Sequence, residues 1–247
     1  MKKSAILISF ILLLAISLPA QKVVTYKKWK LQSIGAKVQP MFFQNFSNLT
    51  YESLLKLVKD PTKLSYDMNG LDGTEAFELE ATSVGVFVRF SRPFLQKGWS
   101  QNVELGASVY TYAEVYVEYY SGWIMNPDDY LGWCLLNNRI DLEGSYLLTR
   151  SLPKGFAVHF GPTITYSTSF NDQVMLFESR ESSIPEQVTD ARPSDFVYGQ
   201  IGFSASKVIW DKLEVLAGFR YGGGRQIGES NAVTYNAINL GLAYLLN

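Results

Sequence analysis

The side chains able to do chemistry are few and scattered. His159 is the only histidine, so no second imidazole is at hand for a His-based metal site. No serine lies two residues from it, and its neighbours spell out no nucleophile beside a base. It reads as an interior polar side chain. Cys134, the only cysteine, stands between Trp133 and Leu135 and reads as an apolar contact; an intramolecular disulfide is excluded. Gly222-Gly223-Gly224 lacks the following helix that a phosphate cradle needs, so it reads as a flexible connection. A formal net charge of −1 leaves no electrostatic footprint for nucleic acid. No cofactor, metal or catalytic residue is expected. What remains is a set of charged residues at alternate positions: Lys37, Glu78, Glu80, Arg89, Glu104, Glu114, Glu118, Arg139, Asp141, Glu143 and Arg220.

That alternation is the signature of strands with one apolar and one polar face. Eight such stretches follow one another. The first is 31–39, with Ile34, Ala36 and Val38 opposite Ser33, Gly35, Lys37 and Gln39. The third, 102–118, sets Val103, Leu105, Ala107 and Val109 against Glu104, Gly106, Ser108 and Tyr110. The fourth (139–149), fifth (156–167), sixth (196–208), seventh (213–221) and eighth (233–246) keep the same rhythm. The second, 75–90, changes phase: Phe77, Leu79 and Ala81 are apolar in its first half, Val84, Val86, Val88 and Phe90 in its second. One extra residue near Ser83–Gly85 would restore a single apolar face, which predicts a β-bulge there.

The connections alternate in length. Those after the second, fourth and sixth strands are short (91–101, 150–155, 209–212). Those after the first, third, fifth and seventh are long (40–74, 119–138, 168–195, 222–232). A sheet can cross a membrane only when it closes on itself. Short turns on one side and long loops on the other are what an up-and-down membrane barrel produces. Aromatic girdles are expected at both rims: Phe94, Trp99 and Trp210 at the turn side, Tyr119, Tyr120 and Trp123 at the loop side. A secreted β-sandwich or lipocalin-like barrel also alternates, but it turns its apolar face inward.

The start of the chain agrees with export. Lys2 and Lys3, the apolar run Ile6–Ile16 and Ser17-Leu18-Pro19-Ala20 read as a signal peptide spanning 1–20. No later run approaches the length of a spanning helix. The expected organisation is a signal peptide, 1–20, and a barrel domain, 21–247, with no further periplasmic domain.

A resemblance joins this reading. Asn239-Leu240-Gly241-Leu242-Ala243-Tyr244-Leu245-Leu246 looks like the C-terminal β-signal read by the outer-membrane assembly machinery, with Asn239, Gly241 and Tyr244 matching and Leu246 aliphatic where an aromatic is usual. From about Trp29 onward the chain resembles the small OmpA/OmpX/OmpW-type barrels of Gram-negative bacteria. The resemblance implies an all-β, eight-stranded antiparallel up-and-down transmembrane β-barrel. Its place would be the bacterial outer membrane, with both termini periplasmic, lipid and lipopolysaccharide around it, and other envelope proteins as partners. It implies a non-enzymatic structural or binding role for the loops, or else a narrow channel or carrier for small or apolar solutes. A lipid-modifying enzyme ranks below both, because His159 falls near the turn-side end.

Inside such a barrel charges must be paired. Lys37 is expected beside Glu78 or Glu80, Arg89 beside Glu104, and Glu118 beside Arg139. Arg220 is expected to reach across to Glu114, Asp141 and Glu143. Two long connections carry more. Segment 48–59 reads as a short capped amphipathic helix, a lid on the mouth or a docking face. Connection 168–195 is acidic through Asp172, Glu178, Glu181, Glu186, Asp190 and Asp195 and reads as a solvated loop.

Overall fold

The structure is a computed structural model. It describes residues 28–44, 58–60, 71–76, 79–94, 97–120, 130–178, 187–191, 195–227 and 232–246. The expected signal peptide and segment 48–57 lie outside the described residues, as does Trp123.

In chain order the strands are β1 (Lys30–Gln44), β2 (Leu71–Ala76), β3 (Leu79–Pro93), β4 (Trp99–Tyr120), β5 (Tyr130–Ser151), β6 (Phe156–Glu178), β7 (Gln187–Asp190), β8 (Asp195–Ile209), β9 (Leu213–Gln226) and β10 (Ala232–Leu245). Eight of them form the wall, in the order β1, β3, β4, β5, β6, β8, β9, β10, each antiparallel to its neighbours. β10 then pairs back onto β1, from Ser33↔Leu245 to Gln44↔Thr234, and this seam closes the sheet. β2 continues the line of β3 along β4, and β7 folds back on β6. The result is the closed eight-stranded up-and-down barrel that the resemblance implies.

The two faces of the wall differ in chemistry. Outward-facing side chains are apolar and uncovered: Ile34 and Val38 on β1, Val84 and Val86 on β3, Leu105 and Val109 on β4, Phe160 and Ile164 on β6, Ile201 and Phe203 on β8, Leu240 and Leu242 on β10. The buried set is rich in Ser, Thr, Asn, Gln and charged groups. A water-soluble barrel has the reverse arrangement. Only a hydrocarbon surround makes this distribution favourable, so the chain is a transmembrane β-barrel.

Three expectations are corrected. The alternation through β3 is unbroken from Ala81 to Phe90, with Ala81, Ser83, Phe87 and Arg89 inward and Thr82, Val84 and Val86 outward. No bulge sits at Ser83–Gly85. Ala81 is apolar yet faces the lumen, because the lumen beside it is itself apolar. Between Ala76, which faces Tyr116, and Val84, which faces Val109, the pairing with β4 shifts by one residue.

The long connections are also shorter than they read. β4 and β5 pair as far as Tyr119↔Tyr130, and β6 continues to Glu178 before β7 returns beside it. The described residues of connections 119–138 and 168–195 are therefore sheet, with Ala191 in an isolated bridge. Gly222–Gly224 is likewise strand, facing Gln200, Gly199 and Tyr198 of β8. A Cβ on Gly224 would stand 2.1 Å from the Tyr198 ring, and one on Gly222 would stand 2.1 Å from the Gly199 carbonyl oxygen. Gly224 makes room for the Tyr198 ring and Gly222 for the adjoining backbone of β8; neither loosens a loop.

The turns at the other end are tight. Trp210 and Asp211 both hold positive φ, 50° and 59°, in the three-residue connection between Ile209 and Leu213, a left-handed pair whose twist matches a hairpin. Such left-handed positions favour Asn, Asp and Gly, and here a tryptophan, 84% exposed, occupies the first of them.

A charge on the outer face tests the lipid assignment. Ile164→Arg, at a side chain 64% exposed in mid-wall, is expected to destabilise the barrel by about 2–4 kcal/mol. Urea unfolding in lipid vesicles measures this. A loss under about 0.5 kcal/mol, the ordinary range for a surface site, would contradict the lipid-facing placement.

Candidate functional site

The lumen is filled in layers. Nearest the turns, Arg89 is fully enclosed. Its Nε and Nη2 donate to Glu104 Oε2 at 3.2 and 3.0 Å, and its Nη1 donates to Glu214 Oε2 at 2.7 Å. β3, β4 and β9 supply the three residues. Arg89 faces Glu104 directly across the β3–β4 ladder, whereas Glu214 arrives from a distant strand.

His159 sits in the same layer. Asn102 Nδ2 donates to Thr149 Oγ1 at 2.6 Å, and Thr149 Oγ1 lies 2.8 Å from His159 Nδ1. His159 Nε2 lies 2.9 Å from Ser206 Oγ, which donates to Glu214 Oε1 at 2.6 Å. Since Ser206 gives its proton to the carboxylate, it accepts from Nε2–H, and Nδ1 accepts from Thr149. The donors run in one direction, from amide to carboxylate. A Ser–His contact is present that the spacing did not reveal, because Ser206 lies on the neighbouring strand. In this tautomer Nε2 carries a proton and cannot act as base towards Ser206. Both side chains are enclosed in the lumen.

The next layer up pairs Glu143 with two cations. Lys37 Nζ and Arg220 Nη1 both donate to Glu143 Oε2, the latter at 2.6 Å. Arg220 Nη2 lies 3.9 Å from Glu104 Oε1, which links the two layers. The cavity bordered by Lys37, Arg89, Glu104 and Arg220 is about 50 Å³. That holds a small number of water molecules.

Two expected partnerships are replaced. Lys37 faces Gly85 across β1 and β3, while Glu80 is level with Phe42, five residues nearer the loops. Lys37 therefore reaches over the lumen to Glu143. Arg139 faces Tyr110, and Glu118 faces Leu131, eight residues away along β5. Arg139 instead donates to Ser167 Oγ and O at 2.8 and 3.0 Å and lies 4.7 Å from the Phe196 ring centroid. Arg220 reaches Glu143. Asp141 is buried, with one carboxylate oxygen lacking a hydrogen-bond partner. The side chains of Glu78, Glu80, Glu114 and Glu118 lie outside the described set.

Above the charges the lumen is aromatic. Tyr110, Phe196, Tyr198 and Tyr235 pack with Met41, Ala81 and Ala237. Phe196 stacks on Tyr198 at 5.8 Å, and Tyr198 meets Tyr235 at 5.5 Å.

The mouth is crossed by one further contact. Val58 belongs to the connection between β1 and β3, yet it bridges to Ala191, beside β7, in the connection between β6 and β8. Those two seams lie on opposite sides of the wall. Lys59 N–H donates to Asp190 O at 3.0 Å, and the Lys59 and Asp190 side chains pair at 3.6 Å. Val58, Val174 and Ala191 are all buried. Of segment 48–59, Val58 and Lys59 are the part described, and Val58 makes an isolated β-bridge.

No protein-family model and no curated protein matches the chain. Solved structures that align with it include Neisserial surface protein A (9% identity, 89% of this chain and 100% of that one, TM-score 0.43). Ail, the attachment invasion locus protein of Yersinia pestis, in complex with the heparin analogue sucrose octasulfate, aligns at 8% identity over 87% of this chain and 97% of its own, with TM-score 0.40. The outer membrane protein OprG from Pseudomonas aeruginosa aligns at 12% identity over 88% and 97%, with TM-score 0.40. Likeness this distant carries nothing about function. The membrane assignment rests on the chemistry of the two faces of the wall.

Substitutions probe the interior and the mouth. Arg89→Met strands Glu104 and Glu214 without their shared cation and is expected to cost about 3–5 kcal/mol. Adding Glu104→Gln and Glu214→Gln should recover much of that loss in the same unfolding measurement. At the mouth, Val58 and Ala191 form a non-hydrogen-bonded pair, whose Cα atoms stand about 4.5 Å apart, within disulfide reach. In a Cys134→Ala background, Val58→Cys with Ala191→Cys should oxidise spontaneously and give a reductant-sensitive mobility shift. Free thiols after oxidation would show that the two connections do not meet.

Proposed function

We propose that the protein is an outer-membrane barrel without catalytic activity, whose loop-side sheet is a binding platform exposed to the outside. The observation that carries this reading is the unequal height of the wall. β4, β5 and β6 run for 22, 22 and 23 residues, against 14 or 15 for the other wall strands. A crossing needs only about 9–11. With β2 and β7 added on either side, the excess forms a five-stranded antiparallel sheet, β2–β4–β5–β6–β7, on one side of the mouth, longer than a crossing needs. Such an extension contributes nothing to crossing the membrane. It does present a broad, hydrogen-bonded surface to whatever lies beyond.

Conduction is disfavoured by the same structure. Arg89, Lys37, Glu143 and Arg220 fill the cross-section, the aromatic layer lies above them, and the Val58–Ala191 contact crosses the mouth. Lipid modification is disfavoured by the enclosed, Nε2-protonated His159. Both chain ends are periplasmic in this reading, the signal peptide is removed, and the assembly machinery engages β10.

Two measurements test it. In planar bilayers the protein should show no steady single-channel openings; sustained openings would replace the platform by a channel. An epitope inserted between residues 121 and 129 should be detected by antibody on intact cells. Detection only after permeabilisation would invert the orientation and place the platform in the periplasm.

A further inference from the structure

The turn-side rim carries a feature that neither the filled lumen nor the loop-side platform uses. Four cationic side chains lie on aromatic rings there. Arg92 is 4.6 Å from the Trp29 ring centroid, Arg150 is 5.4 Å from Trp99, Lys207 is 4.9 Å from Phe156 and Lys212 is 5.8 Å from Tyr244. The spacing around the wall is regular. The pairs sit on the β1–β3, β4–β5, β6–β8 and β9–β10 seams, which is every second seam of the closed sheet.

The charge at this end is one-sided. Lys28, Lys30, Lys97 and Lys154 add to those four, all beside the turns or at the start of β1, and the acidic residue exposed among them is Asp211. Arg92 donates to Gln101, and Arg150 donates to the Lys97 carbonyl at 3.0 Å. Among the described residues none of the eight cations has a carboxylate partner. A ring of like charges is self-repelling unless something outside the chain neutralises it. At the loop side the exposed Lys59 is matched by Asp190.

The rings fix the depth of these cations. Trp29, Phe156 and Tyr244 are outward-facing, and aromatic residues at the end of an apolar band sit at headgroup level. A cation lying on such a ring is held at the height of the lipid phosphates. A cation–π contact leaves the rest of the ammonium or guanidinium free to bond an anion.

We propose that the turn-side rim is an annular binding surface for anionic phospholipid headgroups. Each cation–aromatic pair holds one phosphate, and the flanking lysines add long-range attraction. This rests on the membrane reading above and extends it to one lipid class in one leaflet.

Tryptophan quenching tests it, since Trp29, Trp99 and Trp210 report from this rim. The protein is reconstituted in phosphatidylcholine vesicles containing either brominated phosphatidylglycerol or brominated phosphatidylcholine. Brominated phosphatidylglycerol is expected to quench with a several-fold higher apparent affinity, and high salt should shrink that preference. The combined variant Arg92→Gln, Arg150→Gln, Lys207→Gln, Lys212→Gln should quench equally with both lipids. If it does not fold, the single variant Lys207→Gln and the salt series on the unaltered protein carry the test. Equal quenching of the unaltered protein by the two lipids would overturn the proposal, as would a preference untouched by salt and by the substitutions. Absence of quenching by either lipid would instead overturn the membrane reading itself.

Discussion

The pairing of β10 with β1 is the contact on which the rest depends. Hydrocarbon offers no hydrogen-bonding partner, so an open sheet edge at membrane depth leaves a row of amides and carbonyls unsatisfied, each at a cost of several kcal/mol. The seam from Ser33↔Leu245 to Gln44↔Thr234 removes both edges at once. Once the sheet is closed, inside and outside are defined, and the pleat assigns every second side chain to each. The apolar set touches lipid. The polar set must fill a narrow core with no bulk water to solvate it.

That second demand explains the form of the lumen. Arg89, fully buried, is tolerable only because two carboxylates meet it, and Glu143 only because Lys37 and Arg220 converge on it. These pairs span the barrel and do not follow neighbouring strands alone. They therefore tie the wall together across its diameter. His159 belongs to the same economy of hydrogen bonds: each donor from Asn102 to Ser206 finds an acceptor, and the chain ends on Glu214. Glycine plays the complementary part, since Gly35 stands where a Cβ would lie 2.5 Å from the Phe87 ring.

The barrel is unlike at its two ends. At the turn side the hairpins are tight, cationic and aromatic. At the loop side three strands run on past the other five, and a segment from the opposite wall meets them through Val58. A membrane with chemically different leaflets accommodates such a polarity, and a uniform solvent gives no reason for it.

Much of this was legible in the residues. Period-two alternation in stretches such as Val103–Tyr110, the eight-fold repetition and the Arg89–Glu104 opposition are local or nearest-neighbour properties, and residue order alone determines them. Three things were not legible. The phase of β3 misled because Ala81 faces an aromatic part of the lumen, where apolar no longer means lipid-facing. The true heights of β4, β5 and β6 were hidden because their upper parts pair with one another and with β2 and β7, not with a fixed membrane span. The partners of Lys37 and Arg139 depended on which strands face each other across the closed interior, and on ladder offsets of several residues. By itself the sequence determined a two-faced strand and how many times it recurs. Only closure decided what meets across the lumen, because side chains far apart in the chain become neighbours when the first and last strands join.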